Sequence, residues 1–231
     1  MWPLRRPVVS MVTDRRRYRA RTDQDRIERL IEDAARAARA GVDLIQVRER
    51  GLDDRTLLAL VRRIGTACAG SRAILLVNGR SDIALAAAAG GVHLPASSPS
   101  ASRVREIVPS GFVIGRSVHR AAEARAGEQT GGSDYLIFGT VYPSAGKPAG
   151  HPSSGPEALR RVCHAVRLPV LAIGGVVPAR AHEIAAAGAA GIAAIGMFVT
   201  TEQDGGEDAD QTIAASVAAV RRAFEAVSSE A

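Results

Sequence analysis

A chain of 231 residues that is 46% hydrophobic and 23% charged can bury a sizeable core, which excludes a disordered polypeptide. Aromatics at 3% leave the core to Ala, Val, Leu and Ile and exclude base-stacking platforms for nucleic acid. The formal net charge of +6 rests on arginine, because Lys147 is the lone lysine, and it has two readings: a compositional bias, or an anionic ligand.

Short β-branched runs alternate with Ala-, Arg- and Glu-rich stretches along the chain. A strand is expected at 7–14 and a helix at 24–40, with Thr22 or Asp23 as its cap and Gly41 as its stop. That helix sets Ile27, Leu30, Ile31, Ala34 and Ala38 on one stripe. Strands then follow at 43–49, 73–78, 91–94, 112–118, 135–142, 169–176 and 191–198. The intervening helices are expected at 55–69, 81–89, 102–108, 121–128, 156–165, 178–187 and 209–226. Several strands are continuous apolar runs, such as Val170-Leu171-Ala172-Ile173, which suits parallel strands buried on both faces.

Eight β/α units in one domain match a compact TIM barrel. A doubly wound sheet is the alternative, but residues 13–20 lack the glycine-rich turn it would need after the first strand. Cys68 and Cys163 lie far apart, without disulfide or zinc spacing. With no secretion signal and no apolar run long enough for a bilayer, a cytoplasmic protein is expected, with no membrane or nucleic-acid partner.

Barrel active sites lie where the strands end. Those ends carry Thr13-Asp14, Gln46 to Arg50, Asn78-Gly79-Arg80, His93, Ser117 to His119, Ser144 with Lys147, Gly174-Gly175 and Ile195-Gly196. The backbone at Gly175, Ile195 and Gly196 is expected to cradle a phosphate, since barrel phosphate sites use the loops after strands seven and eight. The alternative for the glycine pair is a tight turn demanded by packing. Arg48 suits an anionic group, unless it or Arg50 is spent on Asp14 or Glu49. His119 is placed to exchange a proton near neutrality, and His93 has a weaker claim. His151, His164 and His182 read as surface or packing residues. No strand end carries the paired acids that Mg²⁺ normally needs, so no metal or cofactor is expected. The Gly/Pro/Ser-rich segment 143–155 reads as a lid or a surface connection.

The motifs MVTD at 11–14, GVDLIQVRER at 41–50, LLVNGRSDIAL at 75–85, GVHLPASS at 91–98, IGRSVH at 114–119, DYLIFGTVYPSAGK at 134–147, PVLAIGGV at 169–176 and GAAGIAAIGMF at 188–198 together resemble the thiamine-phosphate synthase / thiazole tautomerase superfamily. The resemblance implies a TIM barrel. The synthase branch joins a pyrimidine diphosphate to a thiazole phosphate and expels pyrophosphate with Mg²⁺. Its two metal-binding aspartates fall at Gly79 and Ser98 here. The tautomerase branch shares the Asn-Gly-Arg, Leu-Pro and Gly-Arg-Ser-Val-His motifs. The expectation is therefore a metal-independent isomerase that aromatises a carboxylated thiazole phosphate. In that reading His119 is the catalytic acid/base, and Arg48, Asn78, Ser144 and Lys147 hold the substrate. A divergent synthase and a non-catalytic phosphate binder are the alternatives, and a homo-oligomer stays open.

Overall fold

The computed structural model describes residues 4–144, 152–201 and 206–230. In chain order the elements are β1 (Val8–Val12), α1 (Asp23–Arg39), β2 (Leu44–Val47), α2 (Asp54–Ala67), β3 (Ile74–Asn78), α3 (Ser81–Ala86), β4 (Gly91–Leu94), α4 (Ala101–Arg105), β5 (Val113–Val118), α5 (Ala121–Thr130), β6 (Tyr135–Gly139), α6 (Gly155–Ala165), β7 (Val170–Ile173), α7 (Ala181–Ala186), β8 (Gly191–Ala194) and α8 (Gly206–Glu230). Each strand pairs in parallel with the next, and β8 closes on β1 with Val8 beside Gly191. Closure makes this a TIM barrel and removes the doubly wound alternative. Among the described residues no helix is long and apolar enough to cross a membrane.

Alternation along the strands builds two apolar layers. One strand face packs with the helices: Val9, Met11, Ile45 and Val77 meet Leu30, Leu60, Ile64 and Phe224 in one buried cluster. The other face contains Val8, Val12, Leu44, Leu76, Val113, Tyr135, Ile137 and Leu171, and no helix residue joins them. This second set fills the barrel interior. Gly115 makes room for Tyr135, whose ring passes within 2.2 Å of where a Cβ at 115 would sit.

The local signals act as expected in α1. Thr22 accepts from the Asp25 N–H, and Asp25 returns the bond to the Thr22 N–H, a reciprocal cap. Five strands stop earlier than the sequence suggests, at Val12, Val47, Gly139, Ile173 and Ala194. Beyond these points the backbone leaves the sheet and forms the rim. Short 3₁₀ turns follow β1, β7 and β8, at Arg15–Arg17, Pro178–Arg180 and Gly196–Phe198. The first of these lies where no element was expected.

Candidate active site

The C-terminal mouth of the barrel holds a cavity of about 730 Å³. The exits of β1, β2, β5, β6, β7 and β8 supply its wall, and α8 adds Thr212 and Ser216. Its volume is that of a small-molecule site, roughly 300–1,000 Å³.

Six of the expected site residues line this cavity: Arg48, His119, Ser144, Gly175, Ile195 and Gly196. Asn78 does not border it. Its Oδ1 accepts from Gln46 Nε2 at 2.9 Å, so its amide is engaged below the mouth. Lys147 and His151 lie outside the described residues, as does most of the expected lid over 143–155.

Arg48 is placed by its backbone. Its N–H donates to Thr13 Oγ1 at 3.0 Å, and the Thr13 hydroxyl donates to Glu49 Oε1 at 2.6 Å. Glu49 in turn accepts from the Arg15 backbone N–H and from Arg15 Nη1. The sequence left open which arginine Glu49 engages; the partner is Arg15. Burial raises the Glu49 pKa against those bonds. The Arg48 guanidinium therefore has no hydrogen-bond or ion-pair partner among the described residues. Burial, then the Arg50 charge, pushes its pKa down. The Asp14 and Glu49 charges act on it without contact, so a half-buried guanidinium with its donors free in a cavity wall suits an anion. Arg50 lies in the exposed turn past β2, and its carbonyl accepts from Arg15 and Arg16.

His119 follows β5 with its side chain 59% exposed. Glu123 accepts its backbone N–H at 2.8 Å and lies 3.5 Å from Nδ1. His93 is fully buried, with Nε2 2.8 Å from Ser117 Oγ and Nδ1 3.3 Å from the Tyr135 hydroxyl. Burial, with the Arg48 and Arg116 charges, pushes its pKa down to about 3, so it is neutral.

At the β7 exit the glycine pair forms the tight turn that packing requires. Gly175 has φ +61°, and a Cβ there would lie 2.3 Å from the Pro143 carbonyl oxygen. Packing therefore demands glycine, and the same residue faces the cavity. Its carbonyl accepts from Arg180 Nη1 at 2.6 Å, and Arg180 stacks 4.3 Å over the Tyr142 ring. Arg17, Thr140, Arg180, Thr212 and Ser216 also line the cavity, and the sequence analysis did not single them out. Only the run Arg15-Arg16-Arg17 offered a signal, as three cations just past a strand end.

A divalent cation does not fit the donors present: Asp14 is the single carboxylate among the described residues of the cavity wall. Gly79, at the β3 exit, has no side chain to offer a cation. Asp82 and Asp54 are both ion-paired to Arg80. Glu49 is spent on Thr13 and Arg15. Among the described residues no three acids, histidines or cysteines gather as a ligand set.

Residues 12–198 match a family model described as thiamine monophosphate synthase. The thiamine-phosphate synthase of Methanoculleus marisnigri is 39% identical over 190 residues, covering 82% of this chain and 86% of that protein. That of Chlorobium luteolum is 35% identical over 181 residues, covering 78% and 84%. A solved thiamine phosphate pyrophosphorylase from Pyrococcus furiosus superposes with a TM-score of 0.75 at 27% identity, covering 95% of this chain and 96% of that one. These relatives are named as synthases, transferases that join two molecules, and this overturns the expectation of an isomerase. The motif similarity to the tautomerase branch rested on a few strand-end residues, whereas the synthase relatives match across most of the chain. The chain belongs to the thiamine monophosphate synthase family.

Proposed function

We propose that this protein forms thiamine phosphate by joining a phosphorylated thiazole to a pyrimidine carried as its diphosphate ester. The thiazole nitrogen donates its lone pair to the pyrimidine methylene carbon. The carbon–oxygen bond to the diphosphate breaks, and the diphosphate leaves with that electron pair. The product ring is a thiazolium, so no ring proton has to be removed. The proton-transfer role expected of His119 falls with the isomerase reading. His119 instead offers a hydrogen bond at the mouth, with Ser144 nearby on the wall.

The observation that carries this reading is Arg48. A guanidinium on the cavity wall with no hydrogen-bond or ion-pair partner among the described residues stabilises charge that grows on the departing diphosphate. The donors described above do not suit a divalent cation, so no step is assigned to one. The phosphate of the thiazole falls to the β7 and β8 exits, at Gly175, Ile195 and Gly196.

One observation favours a second reading. Gly79 and Ser98 stand where the synthase resemblance expects carboxylates, which suits a protein that binds a phosphorylated thiazole without turnover. Incubation of the purified protein with both half-molecules, with Mg²⁺ and with EDTA, separates the two. Thiamine phosphate is the expected product. Tight thiazole phosphate binding with no product under either condition would establish the binder.

A further inference from the structure

The three arginines that follow β1 have divided their work. Arg15 is buried, and its guanidinium bonds Asp23, Glu49 and the Arg50 carbonyl. Arg16 donates through Nη2 to the same carbonyl at 3.2 Å. Arg17 has no side-chain partner among the described residues, and it lines the cavity.

Its backbone is held at both ends. Asp14 caps the turn by accepting the Arg16 N–H, and its carbonyl accepts the Arg17 N–H at 3.0 Å. The next residue, Tyr18, is 3% exposed, its phenol beside the Asp33 carboxylate. That carboxylate also accepts the backbone N–H and hydroxyl of Thr200. One buried acid therefore fixes the turn that bears Arg17 and the segment that leaves β8.

Gly196 supplies the second observation. It is not among the glycines with left-handed φ, so the backbone there does not require glycine. A Cβ at 196 would clash with nothing; its single neighbour within 4 Å is Arg17 Nη2, at 3.9 Å. Neither strain nor packing explains a glycine at 196. What it leaves is open space between the β8 exit and a free guanidinium.

We propose that Arg17 binds the phosphate monoester of the substrate, as the cationic half of a site whose other half is the backbone at Gly196. The inference rests on the reading that this mouth takes a phosphorylated thiazole, and it adds the residue that holds that phosphate. A guanidinium offers two parallel N–H donors to phosphate oxygens, which a neutral backbone cradle lacks.

Calorimetric titrations with inorganic phosphate and with thiazole phosphate test it. Arg17→Gln is expected to raise Kd for both by about 10- to 100-fold, the loss of one charge-assisted pair. Arg17→Lys should recover part of the affinity. Gly196→Val, which fills the space without straining the backbone, should weaken binding with an unchanged melting temperature. Arg16→Gln should leave Kd within about twofold. A folded Arg17→Gln protein with wild-type Kd for both probes overturns the proposal. Turnover is scored separately on the wild type. If it forms no thiamine phosphate yet Arg17→Gln loses phosphate affinity, the functional reading fails and the Arg17 site stands. If it turns over while Arg17→Gln binds and saturates normally, Arg17 alone is refuted.

Discussion

Asp33 on α1 accepts the Thr200 backbone N–H at 2.9 Å and the Thr200 hydroxyl at 2.8 Å, across 167 residues of sequence. The same fully buried carboxylate takes Arg36 Nη1 at 2.9 Å. An amide in its place offers one acceptor oxygen and turns an N–H₂ group toward a donor. Asp33→Asn is therefore expected to lower stability by about 2–4 kcal/mol. For a chain of this size that is a fall in melting temperature of roughly 4–16 °C. Phosphate affinity should weaken in the same variant, since both walls of that end lean on Asp33. A melt and a phosphate titration on one preparation check both parts.

Arg48 makes the opposite forecast for stability. Its guanidinium is half-buried, has no partner among the described residues and feels the Arg50 charge. Arg48→Gln should leave the melting temperature unchanged or raise it slightly. Turnover should fall about 100-fold or more, because charge on the departing diphosphate loses its stabiliser. Single-turnover rates beside thermal melts decide it. A loss of stability matching the loss of rate would mean that Arg48 is structural.

His93 sets a pH dependence. The folded imidazole stays neutral down to about pH 3, whereas in the unfolded chain it protonates near about 6.5. Its folded pKa is depressed, so its contribution to stability is complete above pH ~6.5 and is lost as pH falls toward 3. By about pH 5 the loss is on the order of 2 kcal/mol. Urea unfolding at two pH values, about 7.5 and 5, measures it. His93→Gln should remove that share of the drop, and an unaltered drop would place the acid sensitivity elsewhere.

Gly175→Ala combines two penalties. The φ of +61° disfavours any side chain, and the new Cβ would meet the Pro143 carbonyl oxygen at 2.3 Å. The variant should lose about 2–4 kcal/mol. Gly70→Ala, with φ +81° and nothing within 4 Å of its Cβ, should lose only about 1–2 kcal/mol. Denaturant midpoints of the two proteins give the comparison.

The architecture was legible in the sequence because its signals are local. Apolar runs such as Val170-Leu171-Ala172-Ile173 state a strand buried on both faces, and Thr22 with Gly41 brackets a helix. Eight such units in series leave few ways to close. The strand-end rule then brought Arg48, His119, Ser144, Gly175, Ile195 and Gly196 to one cavity. Asn78 is not on that cavity's wall, and Gln46 on the neighbouring strand donates to its amide oxygen. The rule failed for the choice of reaction, since a few strand-end residues weigh less than similarity over most of the chain.

Composition and periodicity determined the barrel, its apolar layers and the end at which chemistry sits. Tertiary structure alone decided which of three adjacent arginines is spent on Glu49, which on a carbonyl, and which is left facing the cavity. It alone buried Asp33 on a helix whose stripe gave no reason for an acid there. The physical reason is range. Backbone propensity and burial period are fixed by neighbours a few residues apart, whereas the partner of a charge is fixed by which strand ends the closing barrel brings together.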